Sequence, residues 1–118
     1  MTRQKRVVSV LNDLMFTVKI QQAAKQAGLE PVFVTSRTEA VEHAKESPAL
    51  VIIDLNYTAA EPLDLITALK RDEQTRATRL VGYVSHVQTE LRKAAENAGC
   101  DVVIARSAFV QNLPEILR

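Results

Sequence analysis

Five short runs of aliphatic residues divide the chain and predict five buried β-strands. Four of the runs are nearly continuous in Val, Ile and Leu instead of alternating with polar residues. That pattern is typical of parallel strands that are covered by helices on both faces. The second run is short, which suits a strand at an edge of the sheet. The predicted strands are residues 7–11, 31–35, 50–54, 80–85 and 102–105.

The segments between these runs carry apolar residues at helical spacing, and several begin or end with a recognisable helix signal. Gly28 follows the first segment and predicts its C-terminal end. Ser36 opens a capping box that predicts the start of the second helix. Pro62 and Pro114 suit the first turns of the third and the last helix.

The order of elements is therefore a strand followed by a helix, repeated five times. Short strands joined by helices require right-handed crossovers and a parallel sheet. Five units are too few for an eight-stranded barrel, so the sequence predicts an α/β fold with an open, doubly wound, flavodoxin-like sheet. We expect residues 1–118 to form one domain. Functional sites in such sheets lie at the carboxyl ends of the strands.

Composition narrows the classes of function. Lys and Arg number 15 against 14 Asp and Glu, so the net charge of +1 gives no basic surface for nucleic acid or anionic membrane. No apolar run approaches the roughly 20 residues of a membrane span, and the N-terminus has no signal-peptide pattern. The lone cysteine, Cys100, excludes an intrachain disulfide and fits a reducing compartment. These observations predict a cytoplasmic protein that does not bind nucleic acid or membranes.

Asp54 is the most informative polar residue, because it ends the apolar run of a central strand. A carboxylate at that position serves as a nucleophile, as a metal ligand or as the N-cap of the following segment. The residue pattern alone leaves these three roles open.

The stretch Leu50-Val51-Ile52-Ile53-Asp54-Leu55 resembles the third strand of response-regulator receiver domains, and the resemblance in length and element order covers essentially the whole chain. It implies that Asp54 accepts a phosphoryl group from a histidine kinase and that Asn56 offers its backbone carbonyl to Mg²⁺. It also implies that Ser85 and Arg106, at the ends of the fourth and fifth strands, hold the phosphoryl oxygens.

The first strand departs from that family, in which it ends with two acids that hold the metal. An ungapped alignment places the pair on Leu11 and Asn12, and a shift of one residue places it on Asn12 and Asp13. Either alignment loses at least one carboxylate, and Mg²⁺ prefers charged oxygen ligands. The loss is worth several kcal/mol at an effective dielectric of about 20. We therefore expect the metal set of Asp54, Asn12, Asp13 and Asn56 to bind Mg²⁺ weakly or not at all.

Four further residues depart from the family in, or directly after, the fourth and fifth strands. Arg106 replaces the family lysine, and Ser107 replaces the proline that follows it, which predicts a rearranged loop. His86 stands where the family has a small residue and narrows the access to Asp54. Val103 occupies the strand-five position of the family's switching aromatic residue.

The resemblance implies a receiver domain of two-component phosphorelay signalling that acts through protein–protein interaction and is not an enzyme. Its partner would be a histidine kinase or another signalling protein, and a homodimer would use the face from the fourth to the fifth helix. The alternative is an interaction module that works without phosphorylation. A third reading, a small metal-dependent enzyme, would use Asp54 and His86. We expect poor Mg²⁺ binding and inefficient phosphorylation by small phosphodonors.

Overall fold

The predicted strands pair in parallel in the computed structural model, which describes residues 5–85 and 88–118. Their order across the five-stranded sheet is β2-β1-β3-β4-β5, so β3 is central and β2 lies at an edge. The predicted doubly wound parallel α/β fold is confirmed. The strands are β1 (Arg6–Val10), β2 (Glu30–Val34), β3 (Leu50–Asp54), β4 (Leu80–Val84) and β5 (Val102–Ala105).

Helices connect the strands, and a short 3₁₀ turn at Thr58–Ala60 follows β3. In the described ranges, none of the helices is long and apolar enough to cross a membrane. The helices are α1 (Leu14–Gln26), α2 (Arg37–Ala44), α3 (Pro62–Arg71), α4 (Thr89–Ala98), α5 (Arg106–Gln111) and α6 (Leu113–Ile116).

The predicted helix signals have a physical basis in the structure. The Ser36 hydroxyl accepts a hydrogen bond from the backbone N–H of Glu39, which satisfies one of the free donors at the start of α2. Gly28 follows α1 with a φ of 77°, a left-handed conformation that glycine adopts without a steric penalty. Pro62 occupies the first turn of α3, where its missing N–H is not needed.

Two apolar cores cover the two faces of the sheet. One core packs α2, α3 and α4 against the sheet through residues such as Ala40, Leu65 and Ala95. The other packs α1, α5 and α6 against it through Phe16, Phe109 and others. The strands are therefore buried on both faces, and the polar residues at their carboxyl ends meet along one edge of the sheet.

The C-terminal helices differ from the prediction in one respect. A short last helix with Pro114 in its first turn was expected and corresponds to α6, but a separate helix, α5, begins directly after β5, at Arg106. This helix has six residues, and only Phe109 is fully buried. Because one buried residue defines no repeat, the sequence shows no helical period there. All described peptide bonds are trans, including that between Arg106 and Ser107.

Candidate functional site at the carboxyl end of the sheet

Asp54 lies at the carboxyl end of the central strand, half-buried between strands β1 and β4. It pairs in register with Tyr83 of β4. On the other side, Val10 pairs with Ile53, so the next step along both strands places Leu11 level with Asp54. Leu11 is buried in the apolar core. The neighbour of Asp54 on the first strand is therefore an apolar side chain and not a carboxylate.

Neutral hydrogen bonds hold Asp54 on the side of β4. The backbone N–H of Asn56 donates to Asp54 Oδ1 at 2.9 Å. The Asn56 side chain accepts from the Ser85 backbone N–H at 2.8 Å and donates to Gln88 Oε1 at 2.8 Å. The Ser85 hydroxyl also donates to Gln88, at 3.3 Å. Asp54, Asn56, Ser85 and Gln88 thus form one network, which we call the amide network.

Leu55 explains why the chain after Asp54 takes this path. Its side chain is fully buried, and it packs against the backbone of Gly82 in β4. A Cβ at position 82 would lie only 3.0 Å from the Leu55 side chain. The glycine therefore makes room for Leu55, and Leu55 fixes the position of Asn56 beside Asp54.

Charged groups occupy the opposite side, next to β1. The Asp13 carboxylate caps α1 by accepting from the backbone N–H of Phe16 at 3.1 Å, and its other oxygen accepts a hydrogen bond from Arg106 Nη2. The Arg106 guanidinium carbon also lies 4.3 Å from the centre of the Phe16 ring, a cation–π contact. We call Asp13, Phe16 and Arg106 the arginine clamp.

Phe16 of the clamp packs against two further aromatic rings, those of Tyr83 and Phe109. Phe16 lies 5.1 Å from Tyr83 and 6.1 Å from Phe109, and Tyr83 lies 4.6 Å from Phe109, measured between ring centres. Tyr83 is 1% exposed, and its hydroxyl makes no hydrogen bond to the described residues. Burial, and then the negative charge of Asp54, raise the pKa of Tyr83. The phenol is therefore neutral, and Tyr83 belongs to the apolar core.

The environment of Asp54 disfavours its charged form. Burial is the largest effect and raises the pKa of the carboxyl group, and the nearby charge of Asp13 acts in the same direction. The hydrogen bond from Asn56 and the positive charge of Arg106 oppose that shift without cancelling it. Arg106 is thus the positive charge that compensates Asp54 within the protein.

The side chains at this edge do not fit a divalent metal well. Asp54 and Asp13 supply two carboxylates, but Asp13 already caps α1 and binds Arg106. Asn12 is exposed, and Leu11 offers no ligand at all. Within residues 5–85 and 88–118, no three His, Cys, Asp or Glu side chains lie close enough to hold a metal ion. Mg²⁺ would also approach a fixed guanidinium cation, which disfavours its binding.

The structure brings the predicted site residues into two groups instead of one. Asp54, Asn56 and Ser85 belong to the amide network, whereas Asp13 and Arg106 belong to the arginine clamp. The Ser85 hydroxyl, which was predicted to hold a phosphoryl oxygen, already donates a hydrogen bond to Gln88. His86, which was predicted to narrow the access to Asp54, lies outside the described residues.

Sequence reasoning missed two contributors to the site. Gln88 follows β4 in a connecting segment, and a polar residue there has no distinguishing pattern. Phe16 lies at helical spacing with other apolar residues of α1, which predicts a core position and nothing more. Its contact with Arg106 has no signal in the sequence, because the two residues are distant along the chain. The preference of guanidinium groups for aromatic faces would have suggested the pair only once the fold was known.

Comparison with known proteins identifies the fold. A scan against protein-family models gives no match, and a search of the curated proteins gives none either. Solved structures do match over nearly the whole chain. A response regulator from Hahella chejuensis superimposes with a TM-score of 0.86 at 20% identity, covering 97% of this chain and 92% of that one. The chain therefore has the fold of response-regulator receiver domains.

Two further structures show the same similarity. The chemotaxis response regulator CheY4 of Vibrio cholerae has a TM-score of 0.82 at 16% identity, with 98% and 97% of the two chains covered. The receiver domain of sensor histidine kinase PA1611 from Pseudomonas aeruginosa has a TM-score of 0.82 at 15% identity, with 98% and 95% covered. That structure contains a magnesium ion coordinated in the active-site cleft.

Proposed function

We propose that this chain is a signalling module with the receiver fold, which acts by binding other proteins and does not depend on Mg²⁺-dependent phosphorylation of Asp54. The observation that carries the proposal is the arginine clamp. Arg106 supplies a positive charge beside Asp54, and its partner Asp13 is the carboxylate that a metal would need. We propose that residues 1–118 form one cytoplasmic domain without an enzymatic activity of its own.

An exposed apolar patch on α1 supports the binding role. Leu14 is 81% exposed, Met15 69% and Val18 44%, and these are the large apolar side chains that the described ranges leave exposed. The patch lies on the first turns of α1, directly after Asp13 and therefore next to the candidate site. Apolar side chains grouped on a protein surface mark contact sites for other proteins. A histidine kinase or another signalling protein would bind here.

A second candidate function is ordinary phosphoacceptance by Asp54. It is favoured by the position of this carboxylate at the end of the central strand, where the Asn56 N–H orients one oxygen and Arg106 lies close enough to influence its pKa. In this version, Arg106 would stabilise the added phosphoryl charge, and Ser85 would exchange its bond to Gln88 for a phosphoryl oxygen. The homodimer through the face from α4 to α5 remains a prediction in either version.

Intact-mass spectrometry after incubation with acetyl phosphate separates the two candidates. We expect no stoichiometric phosphoryl adduct on the native chain, with Mg²⁺ or with a chelator present. Asp54→Ala is the matched control, since any adduct elsewhere on the chain would persist in it. A stoichiometric, Mg²⁺-dependent adduct that disappears in Asp54→Ala would replace the proposal with the second candidate.

A further inference from the structure

A second surface feature lies on the other face of the sheet from the α1 patch. It is a groove of about 510 Å³ that opens between the first turn of α3 and the first turn of α4. Pro62, Leu63 and Leu91 form its apolar wall. Pro62 is buried, and Leu63 and Leu91 are half-buried and pack on the core, so the apolar wall of the groove is part of the folded structure.

The rim of the groove is acidic. Glu61 and Asp64 belong to its lining, and Glu90 lies in an adjoining depression that shares Leu91 with it. The described residues that line the two depressions include no Lys or Arg. Arg37 pairs with Glu61 from outside, at 3.6 Å, but both side chains are about half exposed, so this pair is weak and screened by solvent. The groove therefore combines an apolar wall with an excess of negative charge.

One end of the groove is made by the amide network. Asn56 and Gln88 line it, and the same Asn56 holds Asp54 through its backbone N–H. A molecule that binds in the groove would contact side chains that are hydrogen-bonded to the candidate site. Occupancy of the groove and the environment of Asp54 are therefore physically connected through two residues.

We propose that this groove binds a short segment of a partner protein that carries a Lys or Arg beside a large apolar side chain. The apolar side chain would cover Leu63 and Leu91, and the cation would lie at the rim near Glu61 and Asp64. Charge complementarity and apolar burial thus act on adjacent parts of one ligand. A groove of this volume accommodates only a few side chains, whereas each partner in a stable dimer buries roughly 800 Å² of surface. A short segment therefore fits the groove better than a second copy of the chain. The inference does not depend on whether Asp54 is phosphorylated.

Nuclear magnetic resonance of the isotope-labelled whole chain tests this proposal, with a capped peptide of alternating Leu and Arg as the probe. We expect saturable shifts at the amides of Leu63, Asp64 and Leu91, which extend to Asn56 and Asp54. Two comparison peptides, one with Glu in place of Arg and one with Gly in place of Leu, should produce no saturable shifts. Shifts located elsewhere, or equal binding of either comparison peptide, would overturn the proposal.

A pair of charge variants sharpens the test. Asp64→Lys should weaken binding of the Leu–Arg peptide at least about threefold, because an exposed charge near a bound cation is reversed. Glu73→Lys makes the same change of charge on an exposed residue beyond the other end of α3, and it should leave the affinity unchanged. Equal weakening in both variants would show a general charge effect and overturn the proposal. Concentration-dependent shifts of the groove amides without peptide would assign the groove to a second copy of the chain, which also overturns it.

Discussion

The two sides of Asp54 interact with its carboxyl group by different means. On the side of β4, the amide network holds it with neutral hydrogen bonds through Asn56, Ser85 and Gln88. On the side of β1, the arginine clamp places a fixed positive charge, which is itself paired with Asp13. The first side orients the carboxylate, and the second compensates its charge.

This difference bears on the roles that the resemblance to receiver domains implies. On the side of β4, Asn56 bonds to Ser85 and Gln88, and the roles that the resemblance implies for Asn56 and Ser85 stay predictions. On the side of β1, Leu11 is buried and the Asp13 carboxylate is bound to Arg106. Under the proposed function, Arg106 compensates the charge of Asp54 and no metal ion is needed for that purpose.

The largest effect is expected from the ring that supports the clamp. Phe16→Ala removes the contacts of this buried ring with Tyr83, Phe109 and Arg106 and should lower the free energy of unfolding by about 3 kcal/mol. Leu14→Ala, on the same helix but 81% exposed, should change it by less than about 0.5 kcal/mol. Urea denaturation measures both. Similar losses in the two variants would show that the ring does not anchor this side of the site.

A smaller effect is expected from Asp13, which has two separable roles. Asp13→Ala removes both the cap of α1 and the partner of Arg106, and it should lower the free energy of unfolding by about 1–2 kcal/mol. Asp13→Asn keeps a capping oxygen and removes only the charge, so this variant should lower the free energy of unfolding by less than about 1 kcal/mol. The same denaturation experiment compares them. If the Asn variant were as unstable as the Ala variant, the ion pair would outweigh the cap.

Local features of this structure could be predicted from the sequence, whereas contacts between distant residues could not. The bounds of β3 and β5 follow from uninterrupted aliphatic runs, and both were predicted to the residue, because a buried parallel strand needs no long-range information to be recognised. The cap at Ser36 was likewise a local pattern. The pairing of Arg106 with Asp13 joins residues 93 positions apart, and no spacing rule connects them. The resemblance instead assigned Arg106 to a phosphoryl group, a role that stays a prediction.

The missing carboxylate on the first strand can be restored. Asn12→Asp should raise the affinity for Mg²⁺ at least about tenfold, because a unit charge near a divalent ion is worth several kcal/mol before screening and competition from Arg106 reduce it. Asn97→Asp adds the same charge on an exposed position of α4 and should leave the affinity unchanged. Isothermal titration calorimetry measures both. Equal gains would mean that net charge, and not the site, attracts the ion.

The smallest effect concerns the pH dependence of stability at Asp54. The pKa of Asp54 is raised in the folded state, mainly by burial. The contribution of this group to stability is therefore fully present below its unfolded pKa of about 3.8, and it is lost as the pH rises through the folded pKa. Asp54→Asn keeps an oxygen for the Asn56 N–H and has no charge to bury. The variant should therefore gain stability relative to the native chain as the pH rises through that window. A relative loss over the same window, measured by urea denaturation at several pH values, would mean that the folded protein favours the charged form.

The most direct test of the arginine clamp is a titration of the native protein with Mg²⁺, followed by nuclear magnetic resonance at the amides of Asp54 and Asn56. These resonances should not shift in a saturable way at millimolar Mg²⁺, because Arg106 and Asp13 already occupy this side of the site. Saturable shifts confined to Asp54, Asn56 and Asp13 would contradict this expectation, because the clamp would then have to open for the ion.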